Sequence, residues 1–232
     1  MISAMNPSIT EVPDSLRAAV AAERLNSATM KLYDYPPSGN GYKVRLALAY
    51  LRIPHEYIPV DILAGETRTR DFLAMNPNGR IPLVKLPDGT CLAESNAILF
   101  YLAQGSRLWP SSTLEQARTL QWMFFEQYSH EPHIAALRFW LSIKKIDPSG
   151  PEAQQVEGKT RAGYAALEVM EAHLSRNEFL VANAMSIADI ALYAYTHVAE
   201  EGGFDLGRFP SIRDWLARVA ATPGHVRIDQ AA

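Results

Sequence analysis

Three short stretches of the sequence carry groups suited to holding a small charged molecule. Ser38-Gly39-Asn40 lies between an apolar stretch and a helical pattern. A hydroxyl, an amide and a helix N-terminus at one junction can together stabilise an anion. The same residues also suit a turn that caps the helix. Glu94-Ser95 ends a strand pattern and opens another helix. The free N–H groups of a helix start suit a carboxylate, and an acidic side chain beside them suits an ammonium. Ser95 on its own would read as an N-cap. In Gly79-Arg80-Ile81-Pro82 the proline has no N–H and is out of place in a central strand.

The elements that must position these residues follow from periodicity. Met30–Tyr35 reads as a strand, ended by Pro36-Pro37. Val44, Ala47, Leu48 and Leu51 recur at helical spacing, and Pro54 closes that helix. Tyr57–Val60 is a second strand, so the first 30 residues of this region form a βαβ unit with parallel strands. Ile81–Leu86 and Cys91–Ala93 flank Pro87-Asp88-Gly89-Thr90, a hairpin signal. Ala97–Gln104 then reads as a helix on this sheet. Beyond Thr113 only helical patterns occur. Leu114, Ala117, Leu120, Phe124 and Tyr128 form one stripe, which Ile134, Leu137 and Leu141 continue past an interruption at Pro132. A second helix runs from Val156 to Leu174. Ser186-Ile-Ala-Asp189 is a capping box that opens a third, and Ile212–Val219 marks a fourth.

The expected fold is α+β: an N-terminal thioredoxin-like α/β domain followed by an all-α helical bundle domain. The boundaries are 1–29 for an N-terminal extension, with a short helix over Ser15–Ser27, 30–105 for the α/β domain, 106–112 for a linker and 113–232 for the helical domain. Twenty-two basic and 25 acidic residues give a formal charge of −3, which argues against a dedicated nucleic-acid binder. No apolar run reaches the roughly 20 residues that span a bilayer. Cys91 is the single cysteine. It excludes an intrachain disulfide and a cysteine-rich metal site, and its strand position reads as core. The six histidines show no paired metal-binding spacing, so no metal is expected. One thiol and no secretory signal make the cytoplasm the expected compartment.

The sequence resembles the glutathione S-transferases from about Met30 to Gly224. Four pieces carry the resemblance: Tyr35-Pro-Pro-Ser-Gly-Asn-Gly-Tyr-Lys-Val-Arg45, Asn76-Pro-Asn-Gly-Arg-Ile-Pro-Leu-Val84, Glu94-Ser-Asn-Ala-Ile98 and Ser186-Ile-Ala-Asp189-Ile-Ala. It is similar to the bacterial nu-like and theta-like kinds. The resemblance implies glutathione as co-substrate, a cis bond before Pro82, and an Ile81 main chain free to pair with the extended peptide. Glutathione would be bound by Arg80, Ile81, Pro82, Glu94 and Ser95. Arg80 would meet the glycyl carboxylate, and Glu94 and Ser95 the γ-glutamyl end. Ser38 and Asn40 are then the catalytic candidates. A thiol of pKa about 8.5 needs roughly 2.7 kcal/mol of thiolate stabilisation to fall by two units.

Relatives often carry a histidine in the loop after strand two, where this chain has Thr67 and Arg68. A second-substrate pocket is expected in the helical domain, with Tyr128 and His130 as candidates. Three functions follow: transfer of glutathione to an electrophilic small molecule, glutathione-dependent disulfide reduction, or a non-catalytic interaction role. The resemblance also implies a homodimer.

Overall fold

The computed structural model describes residues 29–230, so the helix expected over Ser15–Ser27 lies outside the described residues. The first domain is a four-stranded sheet in the order β2-β1-β3-β4. Strand β1 (Met30–Asp34) pairs parallel with β2 (His55–Pro59) and antiparallel with β3 (Leu83–Lys85). Strand β3 pairs antiparallel with β4 (Cys91–Ala93). Met30, Leu32 and Asp34 alternate inward, as the two-residue strand period requires. The β3–β4 turn closes through Gly89 at φ 88°, a conformation glycine adopts freely.

Helix α1 (Gly39–Leu51) starts on Ser38 and ends on Arg52 in the left-handed region. Helix α3 (Ser95–Ala103) follows β4 directly. Both lie between the sheet and the helical domain. The short α2 (Arg70–Met75) covers the opposite sheet face through Phe72, with Val60 and Leu83. Cys91 borders this small cluster and is half-buried on edge strand β4, rather than a full core residue.

The helical domain runs through α4 (Thr113–Phe125), a π-turn at Glu126–His130 and α5 (Glu131–Arg138). A second π-turn (Phe139–Lys144) leads to α6 (Ala153–Leu174), α7 (Ile187–Thr196) and α8 (Pro210–Ala220). The helix does not break at Pro132: the π-turn at Glu126–His130 runs directly into α5, and the proline, with no N–H to donate, takes its second position. Every residue of α7 is buried, and Trp215 of α8 is fully enclosed beside it. The capping box forms as the sequence indicates. Asp189 accepts from the Ser186 N–H at 2.8 Å, the Leu180 N–H at 3.0 Å and Trp215 Nε1 at 3.0 Å. Burial pushes this carboxyl upward, and those donors oppose the shift.

The stripe read on α4 does not face the core. Leu114, Phe124 and Tyr128 are 60%, 70% and 86% exposed. The inward positions are Thr119, Met123, Glu126 and His130. Within α4, Leu120, Trp122 and Phe125 pack partly buried against the core, whereas Leu114 and Phe124 are turned to solvent.

Candidate functional site

A cleft opens where the α/β domain meets α4 and α5. Asn40, Asn76, Arg80, Ile81, Pro82, Glu94 and Ser95 line it from the small domain, and Gln127 and Glu131 from the helical domain. The Ile81–Pro82 bond is cis. Asn76 shapes the loop ahead of it: its Nδ2 donates to the Arg80 carbonyl at 2.8 Å and its Oδ1 accepts from the Asn78 N–H at 3.1 Å. Glu94, between β4 and α3, sits at φ 68°, a conformation disfavoured for a side chain with a Cβ. Its carboxylate accepts from Asn78 Nδ2 at 3.4 Å.

Asn40 occupies the centre of the site. Its main-chain N–H donates to the Tyr195 hydroxyl at 3.1 Å. Its Oδ1 accepts from Ser95 Oγ at 3.1 Å, and its Nδ2 donates to Glu131 Oε1 at 2.8 Å. A carboxamide nitrogen carries two hydrogens, so one remains for a ligand. Beneath this layer Lys43 is fully buried. Its Nζ lies 2.8 Å from Glu126 Oε1, 3.4 Å from Ser95 Oγ and 3.9 Å from Glu131 Oε2. The other Glu126 oxygen accepts from Asn96 Nδ2 at 3.1 Å and Gln127 Nε2 at 2.9 Å. Burial raises the Glu126 pKa, Lys43 opposes that shift, and the Glu131 charge reinforces it.

The Pro36-Pro37 loop that leads into Asn40 is clamped from both domains. Arg45 is fully buried and binds Asp34 Oδ2 through Nε at 3.0 Å. It also donates to the carbonyls of Pro36 at 2.6 Å, Ile228 at 2.9 Å and Gln230 at 2.7 Å. Arg138 of α5 donates to the Pro37 carbonyl at 2.6 Å and pairs with Glu201 at 2.8 Å. At Gly41 a Cβ would overlap the Asp34 carboxylate, so the tight approach of α1 to β1 demands glycine.

The expected site residues separate into two groups. Asn40, Arg80, Ile81, Pro82, Glu94 and Ser95 all border the cleft. Ser38 is not among the lining residues. Its backbone is extended, and its Oγ accepts from the Gly41 N–H at 3.2 Å as the cap of α1. The two residues expected in the helical half do not enter the cleft. Tyr128 is turned to solvent. His130 is fully enclosed, with Nε2 2.9 Å from the Thr196 hydroxyl. Burial drops its pKa to about 3. Their neighbours Gln127 and Glu131 take the cleft-facing positions, one turn apart. Thr67 is buried in a 3-10 turn, Glu66–Arg68. Among the described residues, no group of three or more His, Cys, Asp or Glu is placed to hold a metal.

Two family models cover most of the chain. The glutathione S-transferase N-terminal domain matches residues 28–104, and the glutathione S-transferase C-terminal domain matches 127–223. The chain belongs to the glutathione S-transferase family. A solved family structure, the glutathione S-transferase of Pseudomonas fluorescens, superposes with a TM-score of 0.81 at 52% identity, covering 87% of this chain and 99% of that one. Glutathione S-transferase 3 of Zea mays is 33% identical, over 84% of this chain and 91% of its own. The disulfide-bond oxidoreductase YfcG of Escherichia coli is 31% identical, over 82% of this chain and 89% of its own. The family thus reaches this chain through relatives named for two different reactions.

Proposed function

We propose that the chain is a glutathione transferase that stabilises the glutathione thiolate for attack on a small electrophile. The observation that carries this reading is Asn40, held by Ser95 and Glu131 with one amide hydrogen left for a ligand. In this reading Arg80 takes the glycyl carboxylate and the Ile81 main chain pairs with the extended peptide. Glu94 meets the γ-glutamyl ammonium. The α3 N-terminus, with Ser95, takes the neighbouring carboxylate. The Asn40 amide then donates to the sulfur and favours its ionised form. The proton leaves to solvent, and the thiolate lone pair forms the new bond to the electrophile while the leaving group departs with its own pair. Holding both reactants in one cleft adds a proximity effect. Ser38 supports this chemistry by capping α1.

A second reading, glutathione-dependent disulfide reduction, is favoured by the polar character of the helical wall, Gln127 and Glu131. There the thiolate attacks a disulfide sulfur and expels one thiolate, and a second glutathione thiolate attacks the resulting mixed disulfide, releasing the other thiolate and forming glutathione disulfide. In this reading the protein is cytoplasmic and a homodimer, with the small domain of one subunit against the helical domain of the other. Calorimetric titration with reduced glutathione and with glutathione disulfide tests the site. Saturable binding of the reduced form, followed by turnover of an aryl halide, supports the transferase. Tighter binding of the disulfide selects the reductase. No binding of either at millimolar ligand leaves a non-catalytic role.

A further inference from the structure

Building on the glutathione reading above, the charges lining the cleft can be matched against those of the peptide. Arg80 and Glu94 each have a counterpart in glutathione: one carboxylate for the guanidinium, the ammonium for the acid. The second peptide carboxylate falls to the α3 N-terminus. Glu131 is left over. Its Oε1 lies 2.8 Å from Asn40 Nδ2, so its charge sits at the sulfur end of the cleft, away from the two carboxylates and the ammonium of glutathione. Its side chain is 23% exposed, whereas that of Glu126 is fully enclosed. Lys43 does not cancel this charge, because its ammonium is in contact with Glu126 at 2.8 Å and only 3.9 Å from Glu131. Glu126 is the carboxylate in contact with that cation, and Glu131 is the member of the trio that faces the cleft. Gln127, one turn earlier, donates through Nε2 to the second Glu131 oxygen, a neutral partner that leaves the carboxylate's charge in place.

We propose that the co-substrate accepted beside glutathione carries a positive charge, such as an ammonium, near its reacting atom, and that Glu131 selects it. A carboxylate at a partly desolvated wall attracts a cation, leaves a neutral group indifferent and repels an anion. The selection acts on whatever is bonded to the glutathione sulfur, whether carbon or a second sulfur.

Binding of stable S-substituted glutathiones tests this without turnover. The probes are S-(2-aminoethyl)glutathione, S-(2-hydroxyethyl)glutathione and S-(carboxymethyl)glutathione, titrated calorimetrically against the wild-type protein and Glu131→Gln. The aminoethyl probe should bind about five- to tenfold tighter than the hydroxyethyl probe, the ratio a single ion pair supplies. The carboxymethyl probe should be the weakest. In Glu131→Gln the ratio between the cationic and neutral probes should fall close to one, whatever the variant does to binding as a whole. Equal affinities in the wild type, or a preference for the anion, overturn the proposal, and that arm does not depend on the variant folding. A cation preference undiminished in Glu131→Gln overturns the assignment to this residue. Failure of glutathione itself to bind removes the underlying reading instead, and so is distinguishable from a flat charge series.

Discussion

Lys43 and Glu126 form an ion pair with neither side chain exposed, directly under Ser95 and Asn40. Replacing Lys43 by methionine keeps most of the side-chain volume and removes the cation. Glu126 is then a buried carboxylate without its counter-charge, a state that typically costs about 3–5 kcal/mol. Asn96 and Gln127 still donate to its second oxygen, which favours the lower end of that range. For a chain of this size each kcal/mol moves the melting temperature by roughly 2–4 °C. Lys43→Met should therefore melt roughly 6–20 °C below the wild type. Urea unfolding followed by tryptophan fluorescence gives the same loss as a free energy. The double variant Lys43→Met/Glu126→Leu should recover most of it, because removing both charges is far less costly than stranding one. The pH dependence has a definite sign. Without Lys43, the folded-state pKa of Glu126 rises further above its unfolded value, so the folded state holds that proton more tightly. The deficit is then largest well above the raised pKa and shrinks as pH falls through it. A loss below about 1 kcal/mol, or a deficit that ignores pH, would refute the claim that this pair is desolvated and charged.

Four further outcomes follow from the same geometry. Asn40→Ala should lower kcat by about 100-fold, the scale for losing one donor to a reacting anion, in a steady-state assay with glutathione saturating. Ser38→Ala should cost about 1 kcal/mol of stability as a lost cap, seen in urea unfolding, and should lower kcat less than Asn40→Ala. Burial holds the folded-state pKa of His130 at about 3 and that of His197 at about 4, below the ordinary value of 6.5. Their neutral forms are favoured on folding, so their stabilisation is intact above about pH 6.5 and is lost as pH falls through their folded values. Each should remove roughly 2–3 kcal/mol between pH 6.5 and 4.5, measured as a falling melting temperature that is shallower in Thr196→Val/His130→Phe. Gly41→Ala should lose several kcal/mol or fail to fold, because the new methyl overlaps the Asp34 carboxylate; circular dichroism and unfolding midpoints check this.

The small domain was legible in the sequence because its site is written in contiguous motifs. Ser38–Asn40, Arg80–Pro82 and Glu94–Ser95 each sit where a strand, turn or helix changes, and such junctions have strong local signals in proline, glycine and capping residues. Element ends moved by a residue or two, as with β3 starting at Leu83 rather than Ile81. The capping box at Ser186 and Asp189 was equally local. The helical wall of the cleft was not legible. Its residues follow from the phase of one helix, and phase is set by tertiary packing rather than by any motif. The apolar stripe through Leu114, Phe124 and Tyr128 suggested a core face, yet it points outward. Lys43 gave no signal of its own, since a single lysine in a helical pattern ordinarily reaches solvent.

The inward side of the helical wall is partly polar because Glu126 meets the buried Lys43, and the Asn96 amide of α3 donates to Glu126 and to the Met123 carbonyl. The π-turn at Glu126–His130 places one extra residue in a turn and rotates all that follows. Glu126 thereby points down to Lys43, while Gln127 and Glu131 open onto the cleft and His130 passes into the core. Glu126 and His130, four residues apart, share the buried face, and Gln127 and Glu131, also four apart, share the cleft face. Leu114 and Phe124 lie ahead of the π-turn and face the outer surface, where burying them needs a partner rather than this chain's own core.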